Sequence, residues 1–209
     1  NNKVITSVTI GAGVPSVEQS AFEGCTALSE VSFGKSISSI GTSAFSGCTS
    51  LTNVSLPKSV IIISSYAFGG CTGITSLSLN EGLTTIEQSA FYSCSSLSTV
   101  SFPDSLTNIA ISAFGDCSAL TSIVFGSGLK SIGGSAFAQS KLTSLTIPNS
   151  VTELDYSSVN TIPTLTTLVI GDGVTAALPY QLFYNNKVIT SVTIGAGVPS
   201  VEQSAFEGC

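Results

Sequence analysis

The chain repeats a short motif every 23 residues, and this period limits the folds open to it. The motif Ser20-Ala21-Phe22-Glu23-Gly24-Cys25 returns as Ser43-Ala44-Phe45-Ser46-Gly47-Cys48 and in related forms further along. A fixed period of this length is typical of solenoids, in which each repeat is one coil that buries its apolar edge only against neighbouring coils. The sequence therefore predicts a single elongated solenoid over residues 1–209.

Apolar residues at fixed offsets define about eight to nine coils. The first apolar residues of the coils are Ile5, Leu28, Leu51, Ile74, Leu97, Leu120, Leu142, Leu165 and Ile189. Further apolar residues follow at the third and fifth positions, as at Val31 and Phe33. Alternation of β-branched and aromatic residues predicts a short strand with one buried face at the front of each coil.

The rest of each coil consists of a corner, a second extended segment and a closing stretch. Triplets rich in Gly, Pro, Asn and Asp, such as Gly11-Ala12-Gly13 and Pro57-Lys58-Ser59, predict the corner. Two more apolar columns, represented by Ile37 and Ile40, predict a shorter segment on the opposite wall. The Ala-Phe-x-x-Cys stretch is too short for a full helix, so we expect a turn of 3-10 or α-helix there.

Two columns of this closing stretch are expected to form a structural ladder in the core. The ladder comprises Phe22, Phe45, Phe68, Phe91, Phe114 and Phe137 together with Cys25, Cys48, Cys71, Cys94 and Cys117. The cysteines follow the repeat and have no histidine to join them, so neither a metal site nor a cofactor is expected. Side chains in register point in parallel, which favours buried free thiols over disulfides.

The unit over residues 28–50 resembles the BspA-like class of leucine-rich repeats. It reads Leu-x-x-Val-x-Phe-turn-Ile-x-x-Ile-Gly-x-x-Ala-Phe-x-Gly-Cys, and the resemblance covers essentially the whole chain. It implies a leucine-rich-repeat β-solenoid with a parallel sheet on its concave side and short 3-10 or helical turns on its convex side. It also implies a place on the cell surface, where attachment to host or neighbouring cells is the usual proposal.

The two ends of the chain have the same sequence. Residues 1–25 are identical to residues 185–209, which indicates a second period of 184 residues. Neighbouring coils agree only at their columns, so this identity marks a longer repeating unit. One interpretation is a window of a longer tandem array, or one subunit of a continuous fibre. The other is a two-copy duplication within a larger surface protein.

The outward positions of the front strands form a candidate binding face of small polar side chains. Its residues are Ser7, Thr9, Ser32, Asn53, Ser55, Ser76, Ser78, Thr99 and Ser101. Ser and Thr could serve there only as soluble strand formers. Otherwise the face could pack laterally, bind a glycan or protein, or order water as ice-binding solenoids do. Asn53-Val54-Ser55 is also a glycosylation sequon.

Composition narrows the function classes. The chain has neither histidine nor arginine, so most nucleophilic hydrolase arrangements are impossible, and we expect no enzyme. Glu153 and Asp155 alternate on one segment, but we expect a solvated rim there rather than a pair of catalytic acids. A net charge of −6 argues against nucleic acid, and no apolar stretch is long enough to span a membrane.

These observations predict a non-enzymatic extracellular or cell-surface structural protein, a segment of a tandem-repeat fibre or stalk. Its expected partners are copies of itself, end to end or side by side. The alternative is an adhesin module that binds a host or matrix protein or a glycan through the Ser/Thr face, and ice binding is a more distant alternative.

Overall fold

The fold consists of short parallel strands stacked coil upon coil and joined by turns. A computed structural model describes residues 2–155, 157, 159 and 161–209. The strands in chain order are β1 Ser7–Thr9, β2 Ser16–Val17, β3 Glu30–Ser32, β4 Ser39–Ile40, β5 Asn53–Ser55, β6 Ile62–Ile63, β7 Ser76–Ser78, β8 Thr85–Ile86, β9 Thr99–Ser101, β10 Asn108–Ile109, β11 Ser122–Val124, β12 Ser131–Ile132, β13 Ser144–Ile147, β14 Glu153–Leu154, β15 Thr167–Ile170 and β16 Ser191–Thr193. The β-solenoid expected from the sequence is confirmed.

Each of the first seven coils contributes one strand to a front wall and a shorter one to a rear wall, and the last two coils contribute a front strand and are joined at the rear by an isolated bridge between Leu178 and Val201. The front strands are β1, β3, β5, β7, β9, β11, β13, β15 and β16, and the rear strands are β2, β4, β6, β8, β10, β12 and β14. Every pairing is parallel and joins equivalent residues of successive coils, for example Val17 with Ile40 and Ile40 with Ile63. The rear strands form one continuous seven-stranded sheet, whereas the front strands form four separate sheets.

Where the structure describes the closing stretch in full, this stretch is a series of β-turns, so the expectation of 3-10 or helical turns is wrong there. The N–H groups of Ala44, Ser46 and Cys48 donate to carbonyls three residues earlier in their own coil. The N–H groups of Phe45 and Gly47 donate instead to the next coil, with N···O distances of 2.8 Å. A helix needs successive donors within one segment, so this alternation prevents it. Ser43 and Gly47 have φ of 55° and 71°, as the third residue of a type II turn requires.

The phenylalanine column forms a stack through the centre of the solenoid. Phe45, Phe68, Phe91 and Phe114 have no exposed surface, and consecutive rings lie 5.1–5.2 Å apart at interplanar angles of 4–10°. The ring of Phe137 continues the stack at 5.9 Å from that of Phe114. Each coil therefore shields the aromatic ring of the next, and burial is shared along the length of the molecule.

The core continues through the coils whose sequences depart from the repeat. Val159 and Ile162 take the phenylalanine and cysteine positions of the coil that starts at Leu142, and both are buried. Ser140 replaces a cysteine and is fully buried with an unpaired hydroxyl. Asn186 replaces another, and its Oδ1 accepts hydrogen bonds from the backbone N–H groups of Val188 and Ile189. The altered residues thus preserve the core.

Candidate binding face

The candidate binding face lies on the outer side of the front strands, as the alternation in sequence predicts. In β5, Asn53 and Ser55 are exposed while Val54 between them is buried at 3% exposure. Strand by strand, the candidate residues Ser7, Thr9, Ser32, Asn53, Ser55, Ser76, Ser78, Thr99 and Ser101 are all exposed. Strand register places equivalent residues side by side, so they form two columns of small polar side chains along the solenoid.

Most hydroxyls of this face are available to a ligand. Within the described residues, the hydroxyls of Ser78, Thr99 and Ser101 form no hydrogen bond with another side chain or with the backbone. Ser76 differs, because its hydroxyl donates to Oδ1 of Asn53 at 2.5 Å. Other hydroxyls of the protein have structural partners: Thr75 Oγ1, just outside the face, donates to the carbonyl of Thr52. Some hydroxyls thus form hydrogen bonds between neighbouring coils, and others face solvent.

The front wall is broken at three places, and proline follows each break. The breaks lie between β3 and β5, between β7 and β9, and between β11 and β13. The first corner residue after the later strand is Pro57, Pro103 or Pro148, respectively. Proline has no N–H to donate at this position. At the closed joint between β13 and β15, Gly171 donates its N–H to the carbonyl of Ile147 at 3.0 Å, a bond that the described residues show at this joint and not at the other closed joints.

Glycine occupies the same position at most closed joints because the two coils approach each other closely there. A Cβ on Gly34 would lie 2.4 Å from the carbonyl oxygen of Gly11, and one on Gly126 would lie 2.2 Å from that of Pro103. A side chain at Gly34 or Gly126 would therefore collide with the backbone of the preceding coil. At the joint between β5 and β7, the residue is Asn80, whose side-chain amide donates to the carbonyl of Leu56. Glycine or asparagine thus occupies this position at the closed joints, and proline occupies it at the breaks.

A groove lies at each break in the front wall. The grooves between β3 and β5, β7 and β9, and β11 and β13 have volumes of about 440, 550 and 360 Å³. Inward side chains of the earlier strand, such as Leu77 and Ile123, are only half-buried, whereas Val100 and Leu145 on the later strands are buried. Each groove therefore combines apolar surface with hydroxyl-bearing edges. The 23-residue periodicity does not reveal these grooves, although the three prolines mark them.

Charge is sparse on this face and concentrates at the corners. The corner at the end of the largest of the three front grooves carries Lys58, Glu81 and Asp104. The backbone N–H of Ser127 donates to Oδ1 of Asp104 at 2.7 Å, and this bond lowers the pKa of the Asp104 carboxyl. The Asp104 carboxylate therefore serves to hold a neighbouring corner. Within the face itself, Glu30 on β3 is exposed and adds a negative charge to the groove between β3 and β5.

The cysteine column contains free thiols that act as hydrogen-bond donors. The thiols of Cys71 and Cys94 donate to the carbonyls of Phe45 and Phe68 at 3.0 and 3.4 Å. Burial raises the pKa of the Cys94 thiol well above its ordinary value and that of Cys117 to about 12. These thiols stay protonated at neutral pH, where a reactive cysteine would need to form a thiolate.

The acidic segment that carries Glu153 and Asp155 borders a separate groove of about 610 Å³ beside the irregular coils. The groove also includes Tyr180 and Glu202. Oδ1 of Asp155 accepts a hydrogen bond from the backbone N–H of Ser157 at 3.2 Å, which stabilises the following turn. Among the described residues, no group of three His, Cys, Asp or Glu side chains could hold a metal ion, and no helix is long and apolar enough to cross a bilayer.

Comparison with known proteins places these features in a family. The model of the BspA-type leucine-rich repeat region matches residues 1–121 and 84–209. A leucine-rich repeat protein from Bacteroides ovatus superposes with a TM-score of 0.70 at 23% identity over 98% of this chain, which spans 64% of that protein. No curated protein sequence matches the chain.

Two further solved structures share the fold. A leucine-rich cell surface protein from Faecalibacterium prausnitzii superposes with a TM-score of 0.70 at 20% identity, covering all of this chain and 74% of that protein. The T. pallidum leucine-rich repeat protein gives a TM-score of 0.62 at 29% identity over 81% of this chain and 75% of that protein.

Proposed function

Because the chain belongs to the BspA-type leucine-rich repeat family, we propose that it is a non-enzymatic structural element outside the cell, a segment of a tandem-repeat stalk or fibre. The observation that carries this proposal is the identity of residues 1–25 and 185–209. The two copies lie eight coils apart, so the repeating unit is the whole set of eight coils and not one coil.

The interior of the solenoid suits a stiff, elongated element. Ring stacking links successive coils from Phe22 to Phe137 and again from Phe183 to Phe206. One seven-stranded sheet joins the rear strands from β2 to β14. A body held together by nearest-neighbour contacts of this kind can lengthen without a change in its cross-section.

The stalk proposal is tested on the protein in its source cells. Proteolysis of intact cells, followed by denaturing electrophoresis, is expected to release a polypeptide larger than one 184-residue unit, and electron microscopy is expected to show elongated particles. If the protease leaves the protein of intact cells uncleaved, the proposed location outside the cell is contradicted. Compact particles formed by a chain of 21.2 kDa would contradict the stalk.

A second candidate function is adhesion through the candidate binding face, and the three grooves favour it. Beyond its charged corner, the groove between β7 and β9 has half-exposed apolar walls and free hydroxyls, which suit the face of a sugar ring or an extended uncharged peptide. The family resemblance implies such attachment, and the grooves provide defined places for it. In this account the stalk presents the binding face to a host or matrix glycan or protein.

The adhesion proposal is tested by adding charge to one groove. Ser78→Lys with Ser101→Lys places two lysines at the edges of the groove between β7 and β9. Gln88→Lys with Ile111→Lys adds the same charge at exposed positions away from the front strands. Binding to glycan arrays and matrix proteins should be lost with the first pair and retained with the second. Equal binding by both variants would refute a role for the groove.

A further inference from the structure

The two copies of the 25-residue segment bury opposite faces. Val17 is 4% exposed in the first copy, whereas its counterpart Val201 is 49% exposed in the second. Likewise Cys25 is 4% exposed, but its counterpart Cys209 is exposed. The difference arises because the first copy is covered by the coil that follows it and the second copy by the coil that precedes it.

On the other face of the segment, residues are buried in the second copy and exposed in the first. Ala205 is 2% exposed in the second copy, whereas Ala21 is exposed in the first. The ring of Phe206 stacks on that of Phe183, in the preceding coil, at 5.5 Å. Together, the two copies show that this sequence can be covered by a solenoid coil on either side.

Both copies have the same backbone conformation at the positions that bond to a following coil. In the first copy, the N–H groups of Phe22 and Gly24 donate to the carbonyls of Ala44 and Ser46, each at 2.7 Å. The closing turns also agree: φ is 55° at Ser20 and 58° at Ser204. The second copy is therefore shaped to receive the same partner coil that the first copy already has.

We propose that residues 185–209 are the joint between successive units of a covalent array, in which the sequence of residues 26–184 follows Cys209. The next coil then stacks on residues 185–209 as residues 26–50 stack on residues 1–25. Ser191, Val192 and Thr193 pair with the next unit's copies of Glu30, Val31 and Ser32, in the register that the first copy shows. This inference rests on the proposed stalk and assigns its joint.

The packing favours a covalent joint over an assembly in which residues 185–209 of one chain take the place of residues 1–25 of another. In any chain that contains residues 1–25, those residues already cover the coil of residues 28–50, with the rings of Phe22 and Phe45 at 5.2 Å. A second molecule could dock its residues 185–209 there only by displacing an identical sequence. The contacts formed would equal the contacts broken, while association costs ~4–15 kcal/mol in lost freedom of motion.

The first test is the coding sequence downstream of Cys209. It is expected to continue with Thr-Ala-Leu-Ser-Glu-Val, the sequence that follows Cys25. Any other continuation would overturn the proposed joint. Surface location is measured separately by proteolysis of intact cells, so a surface protein with a different continuation would refute the joint and leave the surface role standing.

The second test uses the full chain extended by a second copy of residues 26–209. In the single-unit chain, Cys209 is exposed and the other five cysteines are buried, so one thiol should react rapidly with a disulfide reagent. In the two-unit chain, the internal Cys209 is expected to become as protected as Cys25. One fast thiol supports the joint, and two fast thiols would overturn it.

Val201→Lys provides the matched control. In the single-unit chain Val201 is half-exposed, so the lysine should be tolerated and one fast thiol should remain. At the joint of the two-unit chain, the same lysine occupies the position of buried Val17 and should open the joint, which restores the second fast thiol. Circular dichroism of the single-unit variant verifies that the substitution leaves the coils folded. An unchanged count of fast thiols in the two-unit variant would contradict stacking at the joint.

Discussion

Removing one ring from the middle of the phenylalanine stack should destabilise the protein more than removing the ring at its first coil. Phe91 is fully buried, with its ring 5.2 Å from that of Phe68 and 5.1 Å from that of Phe114. Truncation of a buried phenylalanine to alanine costs about 3–5 kcal/mol in all, and a stacked pair accounts for roughly 0.5–1.5 kcal/mol beyond its buried area. Phe91→Ala loses two stacked pairs, so we expect a cost in the upper half of the truncation range, ~4–5 kcal/mol.

Phe22 is the comparison within the same column. It is half-buried, and among the described residues its ring stacks on one other ring, that of Phe45, at 5.2 Å. Phe22→Ala should therefore cost about half as much, ~2 kcal/mol, since both the buried area and the number of stacked pairs are smaller. Because the two substitutions are chemically identical, their difference isolates the contribution of the second neighbouring coil.

Urea unfolding followed by circular dichroism measures both costs. Phe91→Leu controls for loss of stacking with retention of apolar volume, and should cost less than Phe91→Ala. Repeat proteins can unfold in parts, so amide hydrogen exchange in the coils on either side of Phe91 should accompany the melt. A loss below ~1.5 kcal/mol for Phe91→Ala, or equal losses for Phe91→Ala and Phe22→Ala, would refute stabilisation by stacked neighbours.

Three further outcomes follow from the joints and the thiols. Gly126→Ala should lower the free energy of unfolding by ~1–3 kcal/mol, because the new Cβ would meet the carbonyl oxygen of Pro103. A Cβ at Gly11 has nothing within 4 Å, so Gly11→Ala should change that free energy by no more than ~0.5 kcal/mol in urea unfolding. Equal losses of stability would contradict the close approach of the two coils at Gly126. Pro103→Gly should close the joint between β7 and β9 and create a slowly exchanging backbone amide at that position, and rapid exchange there would show that proline does not hold the joint open. The pKa of the Cys117 thiol is raised to about 12 from an ordinary 9.0, so between these pH values the native state keeps a proton that the unfolded chain loses. The Cys117 contribution to stability is therefore fully present below pH 9 and declines by up to ~1.4 kcal/mol per pH unit from there towards pH 12. Cys117→Ala should flatten the pH dependence of the urea midpoint, and an unchanged slope would be contrary evidence.

The sequence predicts the coils because their physical causes repeat. A buried residue such as Ile40 recurs in register with Val17 and Ile63, and a strand that shields its neighbour needs an apolar side chain at that offset in every coil. The same logic places Ser78 and Ser101 on the outer side. Periodicity therefore determines the fold and the composition of the candidate binding face.

The breaks in the front wall depend on departures from periodicity, and sequence reasoning missed them. Pro57, Pro103 and Pro148 are readable as ordinary corner residues, since proline also suits a turn. Their consequence appears only when each is compared with glycine at the same position of a closed joint, as at Gly126. The closing turns were missed for a related reason: the alternation of donors from Phe45 and Ser46 between two coils involves backbone groups, which the residue pattern does not reveal.

The length of the two-unit chain tests most directly whether identical coils stack without interruption. One unit of 184 residues contributes eight coil steps, and a spacing of ~4.8 Å between neighbouring strands corresponds to ~38 Å of added length. Small-angle X-ray scattering should show the maximum dimension growing by about this amount from the one-unit to the two-unit chain, with an unchanged cross-section. A widened cross-section with little added length would contradict end-on stacking of the units.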